Sequence, residues 1–198
     1  MKKIYILILL FVTYNNIAQQ IVNIKTFNVG NSSDYNKYYK DIDNYFLPFL
    51  GSWKNVNGNL TFKVTLFKFE QAPWFDPSEP EFYMDEIRGH FMLIQNEGLS
   101  TENIIYRSDT FYPNTTIITD ARDVILGNST NGIEFYGSIS DNTIINWIRP
   151  KTGRLKMTIV DDGSGVINAN WLVYKLDNIQ LSGEPTFNIP KNTVLTKQ

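Results

Sequence analysis

The sequence predicts an all-β protein, an antiparallel up-and-down β-barrel of eight or nine strands entered through one short helix. Three observations carry that prediction. From Gly51 onward the apolar residues fall on a two-residue period. The segments between the apolar runs are built from Gly, Asn, Asp and Ser. The one stretch with helical spacing, Asp34 to Phe49, precedes all of them.

At the N-terminus, Lys2 and Lys3 lead into an unbroken apolar run from Ile4 to Val12, followed by a polar stretch that reaches Ala18. This is the pattern of a secretory signal peptide. Such a run rises about 14 Å as a helix, short of a roughly 30 Å hydrocarbon core, so no transmembrane segment is expected in the mature chain. Cleavage is expected after Ala18, which makes the protein an exported one: periplasmic, outer-surface or extracellular. Residues 19–33 are polar and Asn-rich and read as a linker or arm.

Across 34–49, Tyr35, Tyr38, Tyr39, Ile42, Tyr45, Phe46 and Phe49 recur at helical spacing, with Ser33 or Asp34 able to cap the start and Pro48 to stop it. The expectation is a short amphipathic helix whose aromatic face covers one end of the barrel.

The barrel is expected over residues 50–180, with 181–198 as a C-terminal tail. In the first hairpin Leu60, Phe62, Val64 and Leu66 share one face and Thr61, Lys63 and Thr65 the other. The same alternation places Ile87, Gly89, Phe91 and Leu93 opposite Arg88, His90 and Met92. It places Ile133, Phe135, Gly137 and Ile139 opposite Glu134, Tyr136 and Ser138, and Leu155, Met157 and Ile159 opposite Lys156 and Thr158. Further strands are expected near 103–108, 115–119, 143–149 and 168–176. Asn57-Gly58-Asn59, Ser140-Asp141-Asn142, Lys151-Thr152-Gly153 and Asp161-Asp162-Gly163-Ser164-Gly165 read as the turns, since Gly, Asn and Asp tolerate positive φ. Sequential short hairpins make antiparallel neighbours, and closure removes the exposed edges.

Composition narrows the function. The chain has no cysteine, which excludes disulfides, a lipid-modified cysteine, thiolate metal sites and thiol nucleophiles. A mature length of about 180 residues suits one domain, able to bury about 70% of its unfolded surface. Without Lys2 and Lys3 the chain has 16 basic against 20 acidic residues, a formal charge of −4 with no long block of either sign, and nucleic acid is not an expected partner.

His90 is the only histidine and lies inside a strand with no nucleophile pattern beside it, so no catalytic residue, metal ligand or cofactor is assigned and the chain is not read as an enzyme. Asp161 to Gly165 lacks the ligand alternation of a calcium loop. Asp76, Glu79, Glu81, Asp85 and Glu86 crowd one link between strands, and two carboxylates at a suitable separation hydrolyse glycosides. The simpler reading of that link is a solvated acidic loop.

The stretch Tyr39-Lys40-Asp41-Ile42-Asp43-Asn44-Tyr45-Phe46-Leu47-Pro48-Phe49-Leu50-Gly51-Ser52-Trp53-Lys54, with Leu60 to Val64 and the ending Ala169 to Leu176, resembles a family of small secreted Bacteroidota proteins of unknown function. It is also similar to the lipocalin and calycin group, in which a helical turn leads into a Gly-x-Trp first strand. The resemblance implies that Trp53 packs at the barrel floor against a basic side chain near the end of the last strand. Lys175 is the position expected to fill that role, where lipocalins use Arg.

The best candidate for binding is the link from Ala72 to Tyr83, long for a hairpin, with three prolines and the aromatic residues Trp74, Phe75, Phe82 and Tyr83. These rings either form a contact surface or fold back to seal the barrel end. Two functions follow: a carrier holding a small apolar ligand inside the barrel, or a cell-envelope interaction module with a packed barrel and no ligand. Phe62, Phe91, Phe135 and either Trp147 or Trp171 are the side chains able to fill the interior.

Overall fold

In a computed structural model of the chain, the described residues are 19–27, 36–74, 81–109, 124–143, 151–161, 163–174 and 187–198. They form β1 (Gln20–Asn23), a 3₁₀ turn (Ile24–Thr26), β2 (Lys37–Lys40), β3 (Gly51–Asn57), β4 (Leu60–Pro73), β5 (Tyr83–Gln95), β6 (Asn103–Arg107), β7 (Ile125–Asn128), β8 (Glu134–Asp141), β9 (Lys151–Asp161), β10 (Ile167–Tyr174) and β11 (Asn192–Lys197).

Eight of these strands close into a ring, β3-β4-β5-β7-β8-β9-β10-β11 and back to β3, with every neighbouring pair antiparallel. Closure leaves these strands no free edge along the paired stretches. β5 is long enough to carry three partners in succession on its other side: β2 in parallel at Tyr83 and Met84, β7 at Ile87 to Gly89, and β6 at Met92 to Gln95. β1 adds in parallel to β2.

The two-residue period fixes which side chains enter the ring. Phe62, Val64, Leu66, Ile87, Phe91, Phe135, Ile139, Leu155, Met157 and Trp171 are all buried, as the alternation predicts. The hairpin between β3 and β4 turns through Gly58 and Asn59, with Gly58 at φ 61° and Asn57 paired to Leu60, the signature of a type II′ connection. Gly163 at φ 75° serves the β9–β10 connection, its N–H donating to Asp161 Oδ1 at 2.9 Å.

The structure differs from the sequence reading in four places. The first is 34–49: no α-helix occurs among the described residues, and the described part, 36–49, is β2 followed by turns. Its aromatic spacing comes from two unrelated packings. Tyr38 and Tyr39 point to opposite faces of β2 and both are buried, whereas Ile42 is 52% exposed, which no single helical face would allow. The chain then turns because the buried Asp41 carboxylate accepts from the N–H groups of Tyr45 (2.7 Å) and Phe46 (3.2 Å), and because Asn44 takes φ 58°. Phe46 and Phe49, both without accessible surface, plug the barrel end as the expected helix face was to do.

The second difference is the C-terminal tail, which contains β11, the strand that joins β3 to β10 and completes the ring. The third is Lys151-Thr152-Gly153, which begins β9 instead of forming a turn; Ser140 and Asp141 likewise end β8 as strand residues. The fourth is the arm at 19–33, whose described part includes β1. The strands expected at 115–119 and 144–149 lie outside the described residues, as does Trp147.

Both ends of the barrel are covered. At the floor, Trp53 Nε1 donates to Phe49 O at 2.7 Å and Lys197 Nζ donates to Pro48 O at 2.8 Å, which ties the 45–49 turns to β3 and β11. At the other end the chain before β11 crosses the mouth. Trp171 Nε1 donates to Pro190 O at 2.9 Å, Asn188 N donates to Asp141 Oδ2 at 2.7 Å, Tyr106 donates to Asn188 O at 3.0 Å, and Ile189 is buried between these anchors.

Candidate functional site

The aromatic link was the sequence's first candidate, and its described part folds back. Trp74 stacks on Phe82 with centroids 5.2 Å apart and planes 18° from parallel, while its backbone N–H donates to Phe82 O at 2.9 Å. Phe27, which precedes the 34–49 segment, meets Trp74 edge-on at 5.7 Å and Tyr39 at 5.1 Å; Tyr39 meets Phe82 at 5.6 Å. Edge-to-face and offset contacts of this kind add to the area that the rings bury. Phe82 is buried and belongs to the core, and Trp74 is half-buried at its edge. Tyr83 faces the opposite way, opposite Pro73 and Tyr38, and does not join the cluster; Phe75 lies outside the described residues.

The described core of the ring is packed with aromatic and aliphatic side chains. A void that admits a water-sized sphere leaves accessible area on the side chains lining it. Trp53, Phe91, Phe135, Ile87, Ile125, Ile139, Met157 and Trp171 have none. Their rings meet one another, Phe62 lying 5.9 Å from Trp171 and 6.1 Å from Phe91. The aromatic side chains that the alternation turned inward, Phe62, Phe91, Phe135 and Trp171, are buried there.

A groove of about 540 Å³ opens instead on the outer face of β5, β7, β8, β9 and β10. Register explains its lining. Arg88, Leu126, Ser138, Arg154 and Tyr174 are successive cross-strand partners and form one row on the outer face. One pleat away, Asn128 pairs with Tyr136 to form a second row, beside the outward Glu86. Trp74 and Phe27 stand at the end near Met84. Beneath the groove, Gly127 and Gly137 are partners, and the Phe135 ring fills the inner space that their side chains would take.

Charges around the groove divide into paired and unpaired. Glu86, buried, accepts from Arg88 Nε at 3.0 Å, and that guanidinium lies over the Phe69 ring at 3.7 Å. Lys156 pairs with Glu134 at 2.6 Å and sits 5.1 Å from the Tyr136 ring centre, while the Tyr136 hydroxyl donates to Glu134. Those hydrogen bonds from Lys156 and Tyr136 hold the Glu134 carboxyl below the usual range. Arg154 is exposed and has neither an ion pair nor a side-chain hydrogen bond among the described residues.

Of the sequence's acidic group, Asp76 and Glu79 lie outside the described residues, and the strand pair Asp85 and Glu86 does not come together. Asp85 and Glu86 are consecutive strand residues and point to opposite faces. Asp85, fully buried, accepts from Tyr38 Oη at 2.5 Å, Asp41 N at 2.9 Å, Gln71 N at 3.2 Å and Lys68 Nζ at 2.9 Å. Gln71 sits at φ 54° in the bulge that breaks the β4–β5 register between Phe69 and Ala72, and Asp85 takes up the N–H that the bulge frees from the ladder. Burial opposes ionisation of Asp85, yet the hydrogen bonds from Tyr38, Asp41, Lys68 and Gln71 together hold its carboxyl below the usual range. Burial, followed by the hydrogen bond to Asp85 and its charge, pushes the Tyr38 phenol well up. This is a scaffold network that ties β2, β4 and β5 together. His90 is half-buried on the outer face opposite Thr65. Among the described residues no three His, Asp or Glu side chains come together as metal ligands, and no helix is long and apolar enough to cross a membrane.

Trp53 is fully buried at the start of the ring. Its basic neighbour is Lys197, with Nζ 5.5 Å from the ring centroid. Lys175 lies outside the described residues.

The groove residues Phe27, Leu126, Ser138, Arg154 and Tyr174 were not singled out by the sequence. Alternation was the available signal for the strand residues, since it places Tyr136 and Ser138 outward and, extended by one step from Lys156, Arg154 as well.

A family model matches residues 1–198, and the chain belongs to that family, described as a family of unknown function, DUF6705. No curated protein and no solved structure matches the chain.

Proposed function

We propose that this member of the family is an exported, non-catalytic binding module of the cell envelope. Its calycin-like barrel is a solid scaffold, and its ligand lies in the groove on the outer face. One observation carries the reading: Trp53, Phe91, Phe135, Met157 and Trp171 in the barrel interior have no accessible surface, while a groove large enough for a small ligand opens outside, with Trp74 at its end. The Lys2-Lys3 and Ile4 to Val12 pattern supports export. The meander order of the ring and Lys197 over the floor tryptophan Trp53 support kinship with calycins. The absence of a nucleophile–base pair in the sequence pattern supports a non-catalytic role.

The test is native mass spectrometry of the mature protein purified from its own host envelope, beside Leu126→Arg. Leu126 is 39% exposed on the groove floor, so this change fills the groove without entering the core. A co-purifying mass that the wild type carries and L126R lacks is the expected result. A mass retained by L126R places the ligand elsewhere and overturns the groove, and bare protein in both overturns ligand binding.

A further inference from the structure

We propose that the groove recognises an acidic saccharide, with Arg154 holding the sugar carboxylate; this deepens the binding reading above and rests on it. Three observations converge on that chemistry.

The first is charge. Of the three described arginines, Arg88 is paired to Glu86 and Arg107 to Asp109, whereas Arg154 has no carboxylate partner. A guanidinium offers five N–H donors in a planar fork that matches a carboxylate in a bidentate pair, and Arg154 presents that fork between Ser138 and Tyr174, its two cross-strand partners. The nearest acid in the lining, Glu86, is engaged by Arg88.

The second is the supply of uncommitted neutral polar groups. The side chains of Ser138, Tyr174, Asn128 and Thr130 line the groove and make no hydrogen bond with the described residues. Each both donates and accepts, as a ligand hydroxyl does. The lysines Lys156 and Lys63 on the outer face are engaged, by contrast, with Glu134 and Glu97. The Tyr174 ring adds a flat apolar face, suited to the C–H face of a pyranose ring.

The third is what the groove lacks. It lies on the face of a sheet whose backbone groups are consumed in the β7–β8, β8–β9 and β9–β10 ladders, so no free strand edge is offered along it. A peptide that binds by strand addition needs such an edge. Recognition here is by side chains, which suits a polyhydroxylated ligand.

The experiment uses the full mature protein and its Arg154→Gln, Arg154→Lys and Leu126→Arg variants. The probes are an array of oligosaccharides bearing hexuronate residues, each beside its carboxyl-reduced counterpart, together with an acidic peptide. Binding is followed by Trp fluorescence and calorimetry at low and physiological salt. The expected result is a uronate oligosaccharide bound at least tenfold more tightly than its carboxyl-reduced form. R154Q should erase that preference, R154K should retain part of it, and L126R should bind neither. Each variant should melt with the wild type, because Arg154 and Leu126 lie outside the core. Equal binding of the acidic and reduced sugars, or a preference untouched by R154Q, overturns the carboxylate assignment while leaving the groove as the site. Binding of the acidic peptide alone overturns the saccharide. Failure of every probe overturns the acidic saccharide; the fate of the groove itself is then read from the co-purifying mass in L126R.

Discussion

Lys197 and Trp53 are register partners across β11 and β3, and the Lys197 ammonium lies 5.5 Å from the centre of the Trp53 ring while donating to Pro48 O. One side chain near the C-terminus thus joins the last strand, the first barrel strand and the turns that plug the floor. Burial holds the Lys197 amine below its usual range, which is what a cation seated against a buried indole undergoes.

Replacing Lys197 with Met keeps the stem and removes the cation. The expected cost is about 1–2 kcal/mol, from the lost cation–π contact and the unsatisfied Pro48 carbonyl. Arg at this position should restore much of it. Deleting residues 192–198 should do more, because β3 and β10 would both gain an open edge, and cooperative unfolding should disappear. Denaturant melts of the three variants check this, and a K197M midpoint equal to the wild type would remove Lys197 from the account.

Asp85 makes the fold sensitive to acid. Its carboxyl is held below the usual range in the folded chain, so the unfolded chain binds the proton first as pH falls. The stabilisation is fully present above about pH 4, the ordinary value for an unfolded Asp, and is lost as pH drops through the lower folded value. The wild type should therefore lose melting temperature below about pH 4, and Asp85→Asn should show a flatter acid limb. At neutral pH, D85N should cost about 2–3 kcal/mol, less than a fully buried broken pair, because Lys68 reaches solvent. An acid limb identical in both proteins would assign the acid sensitivity to other carboxylates.

Much of the barrel was legible in the sequence because alternation is local. Phe62, Val64 and Leu66 need only their own strand to declare a face. β11 was not legible: among Asn192 to Lys197 one apolar side chain, Leu195, points inward, and what makes the segment a strand is the pair of edges waiting on β3 and β10. The aromatic run from Tyr38 to Phe49 misled for the opposite reason, since a strong helical spacing arose from a strand and a turn placed end to end. Arg154, Ser138 and Tyr174 could be placed on the outer face one at a time, but their adjacency is a product of register across β8, β9 and β10, which no single segment carries.

Gly137 and its partner Gly127 should tolerate no side chain. A Cβ on Gly137 would strike the Leu126 carbonyl oxygen and stand 2.8 Å from Phe135 Cζ; one on Gly127 would stand 2.6 Å from the Gly137 Cα. The Leu126 carbonyl belongs to the β7–β8 ladder and cannot step aside without breaking it. Gly137→Ala should cost about 3 kcal/mol or more, and Phe135→Leu in the same chain should recover little, because the backbone clash remains. Full recovery in the double variant would mean that the ring alone demands glycine there.

Trp74 and Phe82 stack on each other yet should respond differently to truncation, because one closes the core and the other borders the groove. Phe82→Ala removes a buried ring that touches Phe27, Tyr39 and Trp74, and should cost about 3–5 kcal/mol. Trp74 is half-buried, and Trp74→Ala should cost about 1–2 kcal/mol, most of it the stacking with Phe82. The ligand titration should reverse the order: W74A weakens binding, while Phe82→Leu, which preserves most of the apolar volume, leaves it close to the wild type. Comparable losses of stability with no change in binding for either variant would make both rings scaffold and move the site toward the Arg154 and Tyr174 end of the groove.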